Sequence, residues 1–215
     1  SVFFFSFSYW STSKEIPILS FFTPIVLGFQ GWLGAVVVST NLAQWMITIH
    51  MLVALFIVFL LFLLLHKATR PRTTKTSGLQ KLILITLALT LVQIVFGTQT
   101  REEVNLVETT LKVPRSLWVD HLGIFFQIHR SFSIIIVGAH IGTLFLLWRK
   151  KTKDLLLKVL LISVTLEVLS GIGMAYFGIP KFLQPIHLLL ATIVVGILFH
   201  LYLSPHENED FSALP

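Results

Sequence analysis

His50, His129 and His187 are the residues of this chain whose type and placement suggest chemistry. Each follows the start of a long apolar run by two helical turns or so. At roughly 1.5 Å per residue, all three lie about 8–12 Å below one membrane surface. An imidazole in hydrocarbon is costly and marks a functional site. Zinc could take three imidazoles, but a catalytic zinc site adds water and orienting carboxylates. The sequence neighbours here are Leu, Ile, Val and Phe. A porphyrin iron suits that lining better, with an axial imidazole on each side and apolar helix faces elsewhere. His129 and His187 are the natural axial pair, and Arg130 beside His129 can reach a propionate or snorkel to the surface.

A second pattern accompanies them. Gln30-x3-Gly34, Gln93-x3-Gly97 and Glu167-x3-Gly171 each put an amide or carboxyl one turn below a glycine on the same helix face. Such a glycine lets a helix or a macrocycle approach the backbone, so the recurrence reads as a ligand cradle. Glu167 is the acid well inside a span, a candidate hydrogen-bond partner or proton carrier. Ile49-His50-Met51-Leu52-Val53-Ala54 also returns as Ile186-His187-Leu188-Leu189-Leu190-Ala191, and the same offset aligns Gly34 with Gly171 and Gln30 with Glu167. This is an internal repeat.

The elements that carry these residues are membrane helices. The chain is 55% hydrophobic and 12% charged, half the charge expected of a soluble domain. Spans are predicted near 17–39, 44–65, 81–98, 122–148, 155–178 and 183–203, each long enough to cross a bilayer. The net charge of +6 resides mainly in two loops. One holds Lys67, Arg70, Arg72, Lys75 and Lys81, the other Arg149, Lys150, Lys151, Lys153 and Lys158. By the positive-inside rule both are cytoplasmic, and nucleic acid is not implied. Loop 99–121 is then outside and the tail 204–215 inside. Cysteine is absent from the sequence, which excludes disulfides and thiolate ligands within it.

Residues 1–10 read as the last turns of a helix that begins before Ser1. The expected fold class is an all-α membrane protein, a pseudo-two-fold repeat of four-helix bundles with six complete transmembrane helices and a partial one. Residues 1–65 would be the remainder of an N-terminal unit, 66–80 a cytoplasmic linker, 81–203 a C-terminal unit and 204–215 a tail.

The remaining histidines divide. His66 and His206 are read as solvated, and His121 as a rim residue. His140, within Gly138-Ala139-His140-Ile141-Gly142, sits in a small-xxx-small spacing suited to close helix packing. His140 and His200 raise an alternative, a di-haem cytochrome b with stacked pairs. Eleven residues bring His140 back to within roughly 20° of the face of His129, but His200 falls roughly 140° from His187. A haem-free transporter or scaffold is a third reading that the repeat alone would satisfy.

The chain resembles haem A synthase, over nearly its whole length. The likeness rests on Gln30-Gly31-Trp32-Leu33-Gly34-Ala35 leading to Thr48-Ile49-His50-Met51, on Gly97-Thr98-Gln99-Thr100-Arg101-Glu102, on Ile128-His129-Arg130-Ser131-Phe132-Ser133, and on Gln184-Pro185-Ile186-His187. The resemblance implies an enzyme that oxidises a methyl group of haem O to the formyl group of haem A for terminal oxidases. It implies a resident haem b on His129 and His187, with Arg130, Gly97, Gln99, Arg101, Glu167 and Gly171 around it. It implies substrate haem O in the N-terminal half with His50 on its iron as the catalytic-site histidine. The family's essential glutamate and frequent cysteine pair would lie upstream of Ser1, so residues 1–215 by themselves are expected to be inactive. The implied setting is the bacterial cell membrane in preference to the mitochondrial inner membrane. Lipid, haem O synthase and an unidentified electron donor are the expected partners, and a homo-oligomer stays open.

Overall fold

The computed structural model describes residues 6–10, 13–40, 45–69, 78–150 and 154–204. Outside them lie Arg70, Arg72, Lys75, Lys151 and Lys153 of the predicted basic loops, His206 and the rest of the tail from 205, and residues 1–5 of the expected helix end. What is described of that helix end is a short 3₁₀ turn, Phe7–Tyr9.

Six helices run α1 (Glu15–Ser39), α2 (Met46–Thr69), α3 (Gly78–Leu106), α4 (Ile124–Arg149), α5 (Asp154–Tyr176) and α6 (Leu183–Leu203). All six are long and apolar enough to cross a membrane, and no strand occurs among the described residues. Apolar side chains surround each helix instead of forming one stripe, the pattern of a helix solvated by lipid. The chain is thus a multi-pass membrane protein.

The helices pair as three sequential hairpins, α1–α2, α3–α4 and α5–α6. The last two close into a four-helix unit through α3 against α6 and α4 against α5, and α2 attaches the first hairpin to α6 and α3. The buried core lies between these helices: Leu55 of α2, Ile83 and Leu87 of α3, Leu147 of α4, Leu160 of α5, and Val195 and Leu198 of α6. Phe59 of α2 meets Phe199 of α6 with ring centres 4.4 Å apart. Gly196 permits the approach, because a Cβ there would stand 2.9 Å from the Phe62 ring.

Two sequence expectations need correction. The third span was expected to stop at residue 98, where apolar character ends. The helix continues to Leu106 and a π-helical turn, Val107–Leu111, follows. Its polar residues stay helical because other helices receive their side chains. The small residues Gly138 and Gly142 are not at a close helix contact either. A Cβ on either would meet nothing within 4 Å, since that face of α4 points away from the bundle.

Candidate functional site

Each hairpin builds the same contact. The glycine of the first helix leaves a gap, and the histidine of the second fills it. A Cβ on Gly34 would stand 3.3 Å from His50 Cε1, one on Gly97 3.1 Å from His129 Cε1, and one on Gly171 3.4 Å from His187 Cε1. The expected cradle is therefore occupied by an imidazole of the protein itself. The glycines set how deeply each ring sits against the partner backbone.

One turn below each glycine, the amide or carboxyl reaches the same histidine. Gln30 Nε2 donates to the His50 carbonyl at 3.0 Å and lies 3.2 Å from its Nε2. Gln93 Nε2 donates to the His129 carbonyl at 2.9 Å. Glu167 Oε1 lies 3.3 Å from His187 Nε2. In all three hairpins a side-chain oxygen of the same residue, Gln30 Oε1, Gln93 Oε1 or Glu167 Oε2, is buried without a hydrogen-bond partner. Buried orphans of this kind are uncommon and cost of order 1–3 kcal/mol each. Three at equivalent positions indicate a repeated site.

His129 and His187 come together. Their ring centres are 6.4 Å apart and their planes cross at 79°. Two imidazoles on one metal, at about 2 Å per metal–nitrogen bond, hold their ring centres about 6 Å apart. Each Nδ1 is held from the preceding helix. His129 Nδ1 lies 3.2 Å from the Gln93 carbonyl, to which it can donate. His187 Nδ1 lies 2.8 Å from Ser170 Oγ. With the ring proton on Nδ1, each Nε2 would keep the lone pair that a metal requires. The donor set therefore fits a bis-histidine iron porphyrin. His50 stands apart, in the α1–α2 hairpin, and its Nδ1 is buried without a partner. Among the described residues no group of three or more His, Cys, Asp or Glu side chains could hold a metal ion.

The outer end of α3 organises the rest. Thr48 and Thr98 hydroxyls meet at 2.7 Å, and Gln99 Nε2 donates to Thr48 Oγ1 at 2.8 Å. Gln99 thus ties α2 to α3. Arg101 stands one turn above Gly97 on the same face of α3, and its Nη1 is buried without a partner. A cation placed so suits an anionic group at the outer rim above His129. Arg130 is exposed, with its guanidinium 5.6 Å from the Phe126 ring centre.

Residues 1–199 match the model of a family described as cytochrome oxidase assembly protein. The chain belongs to that family, COX15-CtaA. No curated protein and no solved structure gave a match. The match agrees with the haem A synthase resemblance of the four motifs, and it assigns the protein a role in cytochrome oxidase assembly.

Three other histidines of this family member, among the described residues, have local partners. His140 is 1% exposed, its Nδ1 lies 2.9 Å from the Ile136 carbonyl of its own helix, and its Nε2 is a buried orphan. His200 packs its ring on Phe62 of α2, and exposed His121 holds the Leu117 carbonyl at 2.9 Å. Sequence reasoning missed three residues that position the site. Ser170 was hidden as an ordinary small helix residue beside Gly171. Glu103 was read as a loop acid, although α4 begins at Gly123–Ile124 with no local capping side chain, and that uncapped start was the available signal. Arg115, within loop 99–121, is the third. It donates through Nε to the carbonyls of Gly178 (3.1 Å) and Ile179 (3.0 Å) and stacks on Trp118, which fixes the outer loop to the α5–α6 turn.

Proposed function

We propose that this family member is haem A synthase, an oxidoreductase that converts the methyl group of haem O to the formyl group of haem A. The observation that carries the reading is the His129–His187 pair at 6.4 Å, with a hydrogen-bond partner from the preceding helix at each Nδ1. In this reading residues 81–203 hold a resident haem b on His129 and His187, and residues 1–65 belong to the substrate half, where His50 faces the iron of haem O. When bound, haem b would supply one-electron redox chemistry. The substrate change is two successive hydroxylations at one methyl carbon, followed by loss of water from the resulting geminal diol. Each hydroxylation consumes one O2, two electrons from an external donor and two protons, and releases one water.

The residues' parts follow from their contacts. The Gln93 carbonyl and Ser170 would hold His129 and His187 at Nδ1, which leaves Nε2 for the iron. Gly97 and Gly171 let both rings lie against α3 and α5. Arg101 receives a propionate at the rim, with Arg130 further out. Gln30 holds His50 in the first hairpin, and the Thr48–Gln99–Thr98 link fixes the two halves in register near both histidine sites. A bacterial cell membrane is the proposed location, haem O synthase the proposed source of substrate, and an unidentified donor the source of electrons.

The test is co-expression of the complete gene with a haem O source under oxygen, followed by haem extraction. Haem A in the extract is expected. Haem B and haem O alone would overturn the proposal.

A further inference from the structure

Three consecutive atoms on the edge of the His187 ring each meet one residue of a single turn of α5. Nε2 faces Glu167 Oε1 at 3.3 Å, Cε1 lies over Gly171, and Nδ1 lies 2.8 Å from Ser170 Oγ. Ser170 also donates to the Glu167 carbonyl at 2.9 Å. A serine hydroxyl carries one proton. With that proton given to the carbonyl, Oγ accepts from His187 and the ring proton sits on Nδ1; given instead to Nδ1, it leaves the ring proton on Nε2 beside Glu167.

We infer that Ser170 is the positioning residue that fixes His187 as an Nε2 ligand and tunes the electron density it gives to a bound iron. The inference rests on the proposed haem b site and deepens it. The two axial histidines are supported differently. His129 is held by a main-chain carbonyl, which no substitution removes, whereas His187 is held by a side chain. Ser170 is buried, 7% exposed, so water does not readily replace the hydroxyl. Accepting the Nδ1–H raises the donor strength of Nε2, which favours ferric over ferrous iron.

The experiment compares the complete wild-type protein with Ser170→Ala, Ser170→Cys and Ser170→Thr, and uses Thr165→Ala as a control. Thr165 lies on the same helix and bonds only within it, to the Leu161 carbonyl at 2.8 Å. Haem b content is read by pyridine haemochrome, and the midpoint potential by redox titration of the purified protein. Ser170→Ala is expected to weaken haem b retention by about 10–100-fold, the usual loss for such a support, and to move the potential upward. Ser170→Cys, whose sulfur is a weak acceptor of similar size, is expected to keep the fold and raise the potential. Ser170→Thr restores the hydroxyl and keeps both quantities near wild type.

Unchanged retention and potential in Ser170→Ala overturn the inference. Should that variant not accumulate, an unchanged potential in Ser170→Cys overturns it equally. A wild-type protein without haem b defeats the proposed function itself, a result that no Ser170 variant can mimic.

Discussion

Glu102 and Glu103, adjacent at the outer end of α3, hold the starts of two different helices. Glu102 Oε1 accepts from the Trp45 N–H at 2.6 Å, at the first turn of α2. Glu103 accepts from the N–H groups of Gly123 (3.2 Å), Phe125 (3.1 Å) and Phe126 (3.1 Å), at the first turn of α4. Successive residues of a helix point about 100° apart, so neighbours can serve helices on different sides. The first turn of a helix exposes unpaired N–H groups and a positive dipole end, which carboxylates satisfy. His50 follows one of these starts and His129 the other, each by about one turn. One pair of acids therefore sets the depth of both histidines.

Replacing Glu103 should be costly in a graded way. Three N–H groups lose their acceptor in Glu103→Ala, while Glu103→Gln retains one neutral oxygen. A lost cap costs about 0.5–2 kcal/mol, and the upper part of that range is expected here because the group is shared by three donors. Thermal unfolding in detergent should rank wild type above Glu103→Gln above Glu103→Ala. A Glu103→Ala protein as stable as wild type would show that water replaces the carboxylate.

The glycine–histidine contacts predict another order. A methyl on Gly97 would stand 3.1 Å from His129 Cε1 and one on Gly171 3.4 Å from His187 Cε1, so the His129 ring must move more. Gly97→Ala should reduce haem b retention more than Gly171→Ala. Gly34→Ala, at 3.3 Å from His50, should leave haem b intact and lower turnover of haem O. Absorbance at the Soret band against protein concentration measures the first two, and product haem A the third.

Much of this arrangement was legible in the chain because it depends on periodicity. The Gln/Glu-x3-Gly spacing places two residues on one face whatever surrounds them, and histidines early in apolar runs share a depth. Hydropathy located six spans, but it stopped α3 at residue 98 because Gln99, Arg101, Glu102 and Glu103 read as surface. Their partners, Thr48, Trp45 and the start of α4, are distant in sequence, and no local rule connects them. The occupant of the glycine gap was hidden for the same reason. Sequence shows that a gap exists on one helix, while only packing shows that the next helix's imidazole fills it.

Gln99 and Thr48 should be coupled energetically. Gln99 Nε2 donates to Thr48 Oγ1, which also meets Thr98 Oγ1, and all three residues are buried. Breaking one member leaves an unsatisfied polar group, worth about 1–3 kcal/mol. Gln99→Leu and Thr48→Val should each destabilise the protein. The double variant should cost less than their sum, because the second change removes a group the first has orphaned. Strict additivity in a double-mutant cycle of thermal stability would show that the link carries no net energy.

Removal of the histidines separates the two sites. His129→Ala and His187→Ala each take away one of the two rings 6.4 Å apart, and a bis-histidine iron does not survive with one axial support at full affinity. Both variants should lose most of the resident haem b absorbance. His50→Ala removes a ring packed against Gly34 and Gln30 in the first hairpin, where neither member of the pair contributes. It should keep haem b at wild-type content while haem A production falls by at least tenfold. Because His50 is half-buried, its loss also leaves a small cavity, and His50→Phe serves as a volume-retaining companion with the same expected pattern. Loss of haem b in both His50 variants would mean that the α1–α2 hairpin supports the resident haem directly. Two independent histidine sites would then have to be replaced by one site shared between the hairpins.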